Sequence, residues 1–526
     1  MRLKNFLSLT GILSIFICSV YSQDSVAVKY GNTITAADMS EYLHVLASDS
    51  LEGREAGEPG QKKAARYLAS KFSEFGLTPV VPSASGNSWF QHFNLIRKEW
   101  DEVYLKVDKD KKEFLKDFYV YGDLEYPEEE KLKPVFVGYG IDSKNYSDYK
   151  DLNVKGKAVI ILMGEPYKDG ISRVTGKKQS SEWANDWRKK AGAAKSKGAR
   201  AVFIVVGNRY EEFENRLNLL KSHLAAPTLG FEYKQRPGSA IFVPAKLAAQ
   251  MLKVQEDQFF NFRNQLSEKV PSDLKIKSSK VAVKVSVKKS VFETENVLGF
   301  LEGTTKKEEV IVITAHYDHL GIEGGKIHYG ADDDGSGTSA VIELAQAFTQ
   351  ARKEGHGPER SILFMPVTAE EKGLLGSEYY TDKPVIPLNR TVADLNIDMI
   401  GRIDSAHAGN PDYVYLIGSD RLSTTLHKVS EDAAKKYVPE IKLDYTFNEK
   451  DDPNRFYYRS DHYNFAKNNI PVIFYFNGVH EDYHKPTDTV DKINFDKAAK
   501  TTRLIFYTAW ELANLDKSIV VDVKEE

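Results

Sequence analysis

Cysteine is nearly absent: Cys18 is the only one in 526 residues, and it lies in the first twenty. The rest of the chain therefore has no disulfide, no thiolate metal ligand and no cysteine nucleophile. A strong charge of either sign is also missing. Seventy-two Lys and Arg stand against 75 Asp and Glu, a formal net charge of -3, and no Lys/Arg tract marks a nucleic-acid arm or a membrane-surface patch. Neither nucleic acid nor a membrane surface is an expected partner. There is no His-Glu-x-x-His, which counts against a common single-zinc endopeptidase, and no Gly-x-Ser-x-Gly, which counts against a serine hydrolase. Gly335-Ser336-Gly337-Thr338-Ser339-Ala340 has the form of a dinucleotide fingerprint. Asp332, Asp333 and Asp334 stand where a pyrophosphate would arrive, and their charge excludes that reading.

What is present begins with a leader. Arg2 and Lys4 precede an apolar stretch from Phe6 to Val20, and Val20-Tyr21-Ser22 supplies the small residue a signal peptidase needs before Gln23. This predicts a signal peptide over 1–22 and a secreted or periplasmic protein; the run is short for a span of roughly 20 apolar residues. Ile17 sits where lipidation of Cys18 would want a small residue, so a lipid anchor is not expected.

Hydrophobic residues at 41% and charged residues at 28% fit a soluble globular protein, and the length allows two or three domains. A helix is predicted from near Thr35, with Asp38 placed to complete its cap, and a second one carries Ala64, Leu68, Phe72 and Phe75 and stops at Gly76. The Gly53–Gly60 loop between them is expected to close one side of the functional site. The style changes near 120: apolar runs at Ala158–Met163, Ala201–Val206 and Ala240–Val243 indicate a β-rich module over 120–266. The first domain is thus expected in two parts, 35–119 and 281–526. In the second part strands and helices alternate: strands at Val310–Thr314, Ile362–Val367, Val392–Ile397, Tyr413–Ile417 and Val472–Phe476, helices at Ser336–Gln350 and from Phe495 to about Leu515. Such alternation predicts an α/β fold with a mostly parallel mixed sheet flanked by helices.

One strand after another ends in a potential metal ligand. His316 and Asp318 follow the first of these strands, and Asp332-Asp333-Asp334 precede the helix. Glu370-Glu371 follow Ile362–Val367, Asp398 follows Val392–Ile397, and Tyr483-His484 follow the last strand. Each piece alone has an ordinary explanation, but ligands in open α/β sheets bind outside the carboxyl ends of strands, and here the ionisable residues share that end. Imidazole and carboxylate donors suit zinc when thiolates are absent. Two ions about 3.5–4 Å apart need one carboxylate between them and two ligands on each side, which this set supplies.

The series His316-Tyr317-Asp318, Gly330-Ala331-Asp332-Asp333-Asp334, Glu370-Glu371 with Gly373, Asn396-Ile397-Asp398-Met399, and Tyr483-His484 before Pro486 resembles the motifs of the bacterial di-zinc aminopeptidases of the leucine aminopeptidase type, relatives of glutamate carboxypeptidase. The module between resembles the protease-associated domain often inserted in these enzymes. The resemblance implies two Zn2+ ions, with Co or Mn as substitutes, and hydrolysis of the N-terminal bond of peptides with a free amine through a metal-bridging hydroxide. It makes Asp333 the bridging carboxylate, His316 and Asp398 the ligands of one ion, and Glu371 and His484 those of the other. Glu370 becomes the general base, Asp318 the carboxylate that orients His316, and Tyr483 a group that stabilises the oxyanion. His319, His462 and His480 are additional histidines, His462 being placed behind the ligands or facing substrate; Arg402 either touches substrate or pairs with an acid. The inserted module is open to a role in cleft access, partner binding or a homodimer. The alternatives are a carboxypeptidase on acidic peptides, for which no arginine cluster is evident near the motifs, a glutaminyl cyclase, or an inactive receptor-like binding scaffold.

Overall fold

The computed structural model describes residues 23–207, 209–234, 238–274 and 276–524; the expected signal peptide, with Cys18, lies outside them. The chain forms two compact units, Met1–Phe93 with Glu293–Glu526, and Asn94–Phe292.

The first unit is built on seven strands: β1 (Gly299–Leu301), β2 (Lys306–His316), β3 (Arg360–Val367), β4 (Thr391–Ile397), β5 (Tyr413–Ile417), β6 (Lys442–Asp444) and β7 (Val472–Phe476). Their order across the sheet is β1-β3-β2-β4-β7-β5-β6. The run β3-β2-β4-β7 is parallel throughout, whereas β1 pairs antiparallel with β3, and β5 antiparallel with β7. The sheet is therefore mixed and mostly parallel, in an α/β fold. Side chains alternate between its faces and both faces are covered. Ile311, Ile313 and Ala315 of β2 join one core, while Val310 and Val312 join the other. That double burial is why these strands read as unbroken apolar runs.

The first core is closed by helices α1 (Ala36–Leu46), α2 (Pro59–Phe75), α3 (Gly337–Lys353) and α4 (Phe495–Asn514), which contribute Leu43, Phe72, Leu344 and Phe506 among others. The Thr35 hydroxyl accepts the Asp38 N–H at 3.1 Å to start α1. Gly76, at φ 89°, ends α2 in the left-handed conformation.

In the second unit a five-stranded sheet runs Tyr119–Tyr121, Ala240–Pro244, Ala201–Val206, Ala158–Leu162, Pro134–Phe136, and is parallel except at its Tyr119–Tyr121 edge. A second sheet contains the long strands Phe90–Val107 and Val281–Val297. Both strands run uninterrupted through the unit boundaries, so no loop composition marks the division at Phe93/Asn94 or Phe292/Glu293, and the expected span of 120–266 is narrower than the unit. The unit is also less purely β than its apolar runs suggest. Helices Tyr210–Ala225 and Glu256–Gln265 were not anticipated, because each buries only a thin stripe: Phe213, Leu217 and Leu224 in one, Phe259 and Phe262 in the other. No helix among the described residues is long and apolar enough to cross a membrane.

One charge within the helical layer makes stability depend on pH. Glu343 of α3 is 1% exposed, and its Oε1 has no hydrogen-bond partner. Burial, aided by the charge of Asp38, pushes its carboxyl from an ordinary 4.5 up to about 8. The folded chain therefore holds a proton that the unfolded chain releases. The stability this contributes is complete below about 4.5 and is lost as pH rises through about 8. Glu343→Gln should remove the dependence: the variant gains on the wild type as pH rises from 5 to 8.5, by on the order of a few kcal/mol. Thermal melts across that range test it; a melting-temperature difference that stays constant with pH would overturn it.

Candidate metal centre

The parallel run decides where the site lies. Strands β3, β2, β4 and β7 are neighbours with one direction, so their carboxyl ends form one rim. His316 is the last residue of β2, Glu370 and Glu371 follow β3, Asp398 follows β4, and Tyr483 and His484 follow β7. Asp333 enters from the turn that leads into α3. Its Oδ1 stands 3.2 Å from His316 Nε2, and its Oδ2 stands 3.1 Å from His484 Nε2. Asp398 Oδ1 lies 3.6 Å from His316 Nε2, and Glu371 Oε2 lies 3.2 Å from His484 Nε2. All five residues expected from sequence to be ligands are thus brought together, with one carboxylate facing both imidazoles.

The three consecutive aspartates divide their work. Asp334 belongs to a compact group with His316 and Asp398, but its oxygens already accept the N–H groups of His316, Gly337 and Met399 at 2.9–3.2 Å. Asp332 accepts the Gly401 N–H at 2.6 Å and faces His480 at 3.3 Å. Asp333 has no such backbone claim on its carboxylate, and its own N–H donates to Asp488. Asp333 is therefore the member free to face a cation.

Other expectations need adjustment. The His316 ring is held by the backbone carbonyl of Asp318, 3.1 Å from Nδ1, while the Asp318 carboxylate stands at 3.9 Å and accepts the Glu370 N–H. Asp318 thus touches both His316 and the Glu370 backbone, and orients the histidine through its main chain. Asp398 is steadied by the Ser460 hydroxyl at 2.7 Å, which in turn accepts from Asn396. His462 is fully buried and stacked on Phe474, 4.8 Å between centroids, facing neither ligand nor cavity. Arg402 pairs with Asp482 and Glu481.

Two residues in the site were not singled out as functional. His319 is fully buried, and its Nδ1 lies 2.8 Å from Glu371 Oε1. Its place three residues after His316 was the only signal. Arg54 is 0% exposed. Its Nε donates to the Tyr317 carbonyl at 2.8 Å, Nη1 to those of Leu46 at 2.6 Å and Tyr329 at 2.8 Å, and Nη2 to that of Gly330 at 2.9 Å. The guanidinium thus ties the loop before α2 to the residue after His316 and to the turn before Asp333. Gly53 makes the approach: it takes φ 69°, and a Cβ there would meet the His328 carbonyl at 2.4 Å. The loop turns a charge under the site, and Glu55 pairs with Lys372 at 3.0 Å beside it.

With protein groups alone the electrostatics are uneven. Burial drives the Glu370 carboxyl well above its ordinary range. Burial acts on Asp333 too, but the hydrogen bonds from His316 and His484 outweigh it and hold that carboxyl well below. Asp333 Oδ2 faces His484 Nε2 at 3.1 Å and Glu371 Oε1 faces His319 Nδ1 at 2.8 Å, so each of these buried oxygens meets an imidazole. Donor atoms of His319, Asp333 and Glu371 crowd within 4.8 Å of one another. Imidazole and carboxylate atoms gathered this closely are what a shared cation requires, and that donor pair fits zinc. A third group, His92 with Glu293 and Glu295, is compromised because Lys62 already pairs with Glu295.

Residues 296–509 match peptidase family M28. The probable leucine aminopeptidase of Arthroderma otae is 30% identical over 214 residues, which is 40% of this chain and 55% of that protein. Aminopeptidase YwaD of Bacillus subtilis is 26% identical over 335 residues, 62% of this chain and 60% of that one. The chain thus spans a little over half the length of these curated relatives. In fold it resembles the aminopeptidase from Aneurinibacillus sp. strain AM-1, with a TM-score of 0.54 over 95% of this chain and 98% of the other, at 19% identity.

The clamp at Arg54 can be tested directly. Arg54→Met strands four carbonyls, three of them buried at about 1–3 kcal/mol each, and loosens both segments that carry candidate ligands. The expectation is a lower melting temperature and zinc affinity weakened about 10- to 100-fold, the range for residues supporting a ligand, with Arg54→Lys in between. Zinc retained after dialysis against graded chelator is the measurement. A Met variant that melts and retains zinc like the wild type would refute the clamp.

Proposed function

We propose, from the match of residues 296–509 to peptidase family M28, that the chain is an exported di-zinc aminopeptidase that removes N-terminal residues from peptides, with residues 120–266 as a protease-associated-like insert. The observation that carries this reading is Asp333, whose two oxygens face His316 and His484. His316 and Asp398 would hold one ion and Glu371 and His484 the other, with Asp333 shared and His319 against Glu371. Two such cations supply Lewis acidity toward the scissile carbonyl and toward water.

The chain's own groups supply the rest. Glu370 lies 3.9 Å from His316 Nε2 and lines the same cavity as the ligands, so its carboxylate can reach a water there without serving as a ligand. It takes a proton as the water oxygen bonds to the carbonyl carbon, and returns it to the amide nitrogen as the C–N bond breaks. Burial, which drives its carboxyl upward, suits a group that must hold a proton between those steps. Tyr483 stacks on His484 at 3.9 Å between centroids and lines the cavity, where its hydroxyl can donate to the developing oxyanion. The free amine of the substrate is a cation, and the carboxylates of Glu370 and Asp398 favour it. Phe474 and Phe476 make the adjoining lining apolar, which suits a hydrophobic first residue.

Glu370→Gln should lower kcat about 10²–10⁴-fold, the range for loss of one general base, while zinc content stays at the wild-type level. Mass spectrometry of a mixture of free, N-acetylated and N-terminal-Gln peptides, with chelator and zinc re-addition, tests the wider reading. Stepwise zinc-dependent loss of N-terminal residues from free-amine peptides is expected. C-terminal trimming, Gln cyclisation or no reaction would move the assignment to the carboxypeptidase, the cyclase or the inactive scaffold.

A further inference from the structure

The cavity over the metal centre contains a cation without an anion. Arg459 lines it together with Asp333, Glu370, Asp398 and Tyr483. Its guanidinium lies over the Phe456 ring, 4.9 Å from the centroid, and Nη2 reaches the Tyr483 hydroxyl at 3.5 Å. Arg402 has acidic partners in Asp482 and Glu481, and Arg360 has Glu309. Among the described residues no carboxylate stands within ion-pair distance of Arg459. The acids of the cavity do not fill that place, because their oxygens face His316, His484 and Ser460. An aromatic ring and a phenol thus position a planar fork whose other N–H groups are left for a ligand, and the ligand that matches such a fork is a carboxylate.

The substrate of an aminopeptidase can supply one. A short peptide is dipolar, and in a dipeptide the C-terminal carboxylate is only one residue, about 3.3–3.6 Å of extended chain, beyond the cut. Its ammonium would face the acidic groups of the cavity and its carboxylate the Arg459 guanidinium. We propose that Arg459 is a carboxylate subsite: it binds a carboxylate on the residue released from the C-terminal side of the cut, and it makes dipeptides with a free C-terminus preferred substrates. The inference rests on the aminopeptidase reading. The same chemistry is offered by an Asp or Glu side chain on that residue, so the test separates the two sources.

The holoenzyme is compared on Leu-Leu, Leu-Leu-amide and Leu-Glu-amide, for the wild type, Arg459→Lys and Arg459→Met. Binding of the reduced-amide analogue of Leu-Leu, as free acid and as C-terminal amide, is measured by calorimetry. The wild type should prefer the acid over the amide about 10- to 100-fold in kcat/KM, mainly through KM, and by a similar factor in Kd, the range of a charge-assisted pair. Arg459→Met should bring both ratios close to one, and Arg459→Lys should keep part of them. If Leu-Glu-amide alone shows the preference and Arg459→Met abolishes it, the carboxylate is the side chain's. If acid and amide are cleaved and bound equally well by the wild type, or the preference survives Arg459→Met, the subsite is refuted and the aminopeptidase stands. Cleavage of N-acetyl-Leu-Leu, or failure on every free-amine peptide, overturns the underlying reading instead.

Discussion

The rim of the sheet gathers more negative charge than a protein interior tolerates unaided. Asp318, Asp332, Asp333, Asp334, Asp398, Asp461 and Asp488 are all buried there, and an isolated buried carboxylate is costly enough to neutralise rather than stay charged. The fold answers with three kinds of partner. Backbone N–H groups satisfy Asp334 and Asp488. Imidazoles face Asp332 and Asp333. Arg54, with no exposure of its own, sits among them as a permanent cation, kept charged by the carboxylates around it although burial lowers its pKa to about 10. Its hydrogen bonds go to carbonyls, not to the acids. It therefore fixes the backbone of the segments around His316 and Asp333 while its charge acts through space. The residual negative charge, on Asp333 and Glu371, is what two divalent cations would offset.

This arrangement separates what the sequence could disclose from what it could not. Strand positions were legible because β2, β3, β4 and β7 are buried on both faces and so appear as apolar runs; the grouping of the candidate ligands was legible because parallel neighbours place residues after such runs on one edge. Which of Asp332, Asp333 and Asp334 faces the cavity was not written in composition. It is decided by N–H groups at His316, Gly337, Met399 and Gly401, which belong to three separate segments of the chain. Arg54 was hidden for the same reason: a single arginine in a glycine-rich loop looks solvated, and its carbonyl partners are up to 276 residues away in sequence. The limits of the second unit were missed because Phe90–Val107 and Val281–Val297 cross them as continuous strands, and its helices were missed because their buried stripes are thin.

The same reasoning bears on whether this is an enzyme or a scaffold that has lost its chemistry. A binding scaffold has no need to crowd buried imidazole and carboxylate groups together; donor atoms of His319, Asp333 and Glu371 lie within 4.8 Å of one another, an arrangement that suits a bound cation. Nor would such a scaffold need Glu370 held next to the ligands by the Asp318–Glu370 contact, with its carboxyl driven upward by burial. Asp318 meets both demands at once. Its carbonyl steadies His316 and its carboxylate steadies the backbone of Glu370, so the proposed ligand and the proposed base are set by one residue and a shift in either would be felt by the other. That coupling, rather than the count of ligands, is the stronger argument that the rim is arranged for hydrolysis.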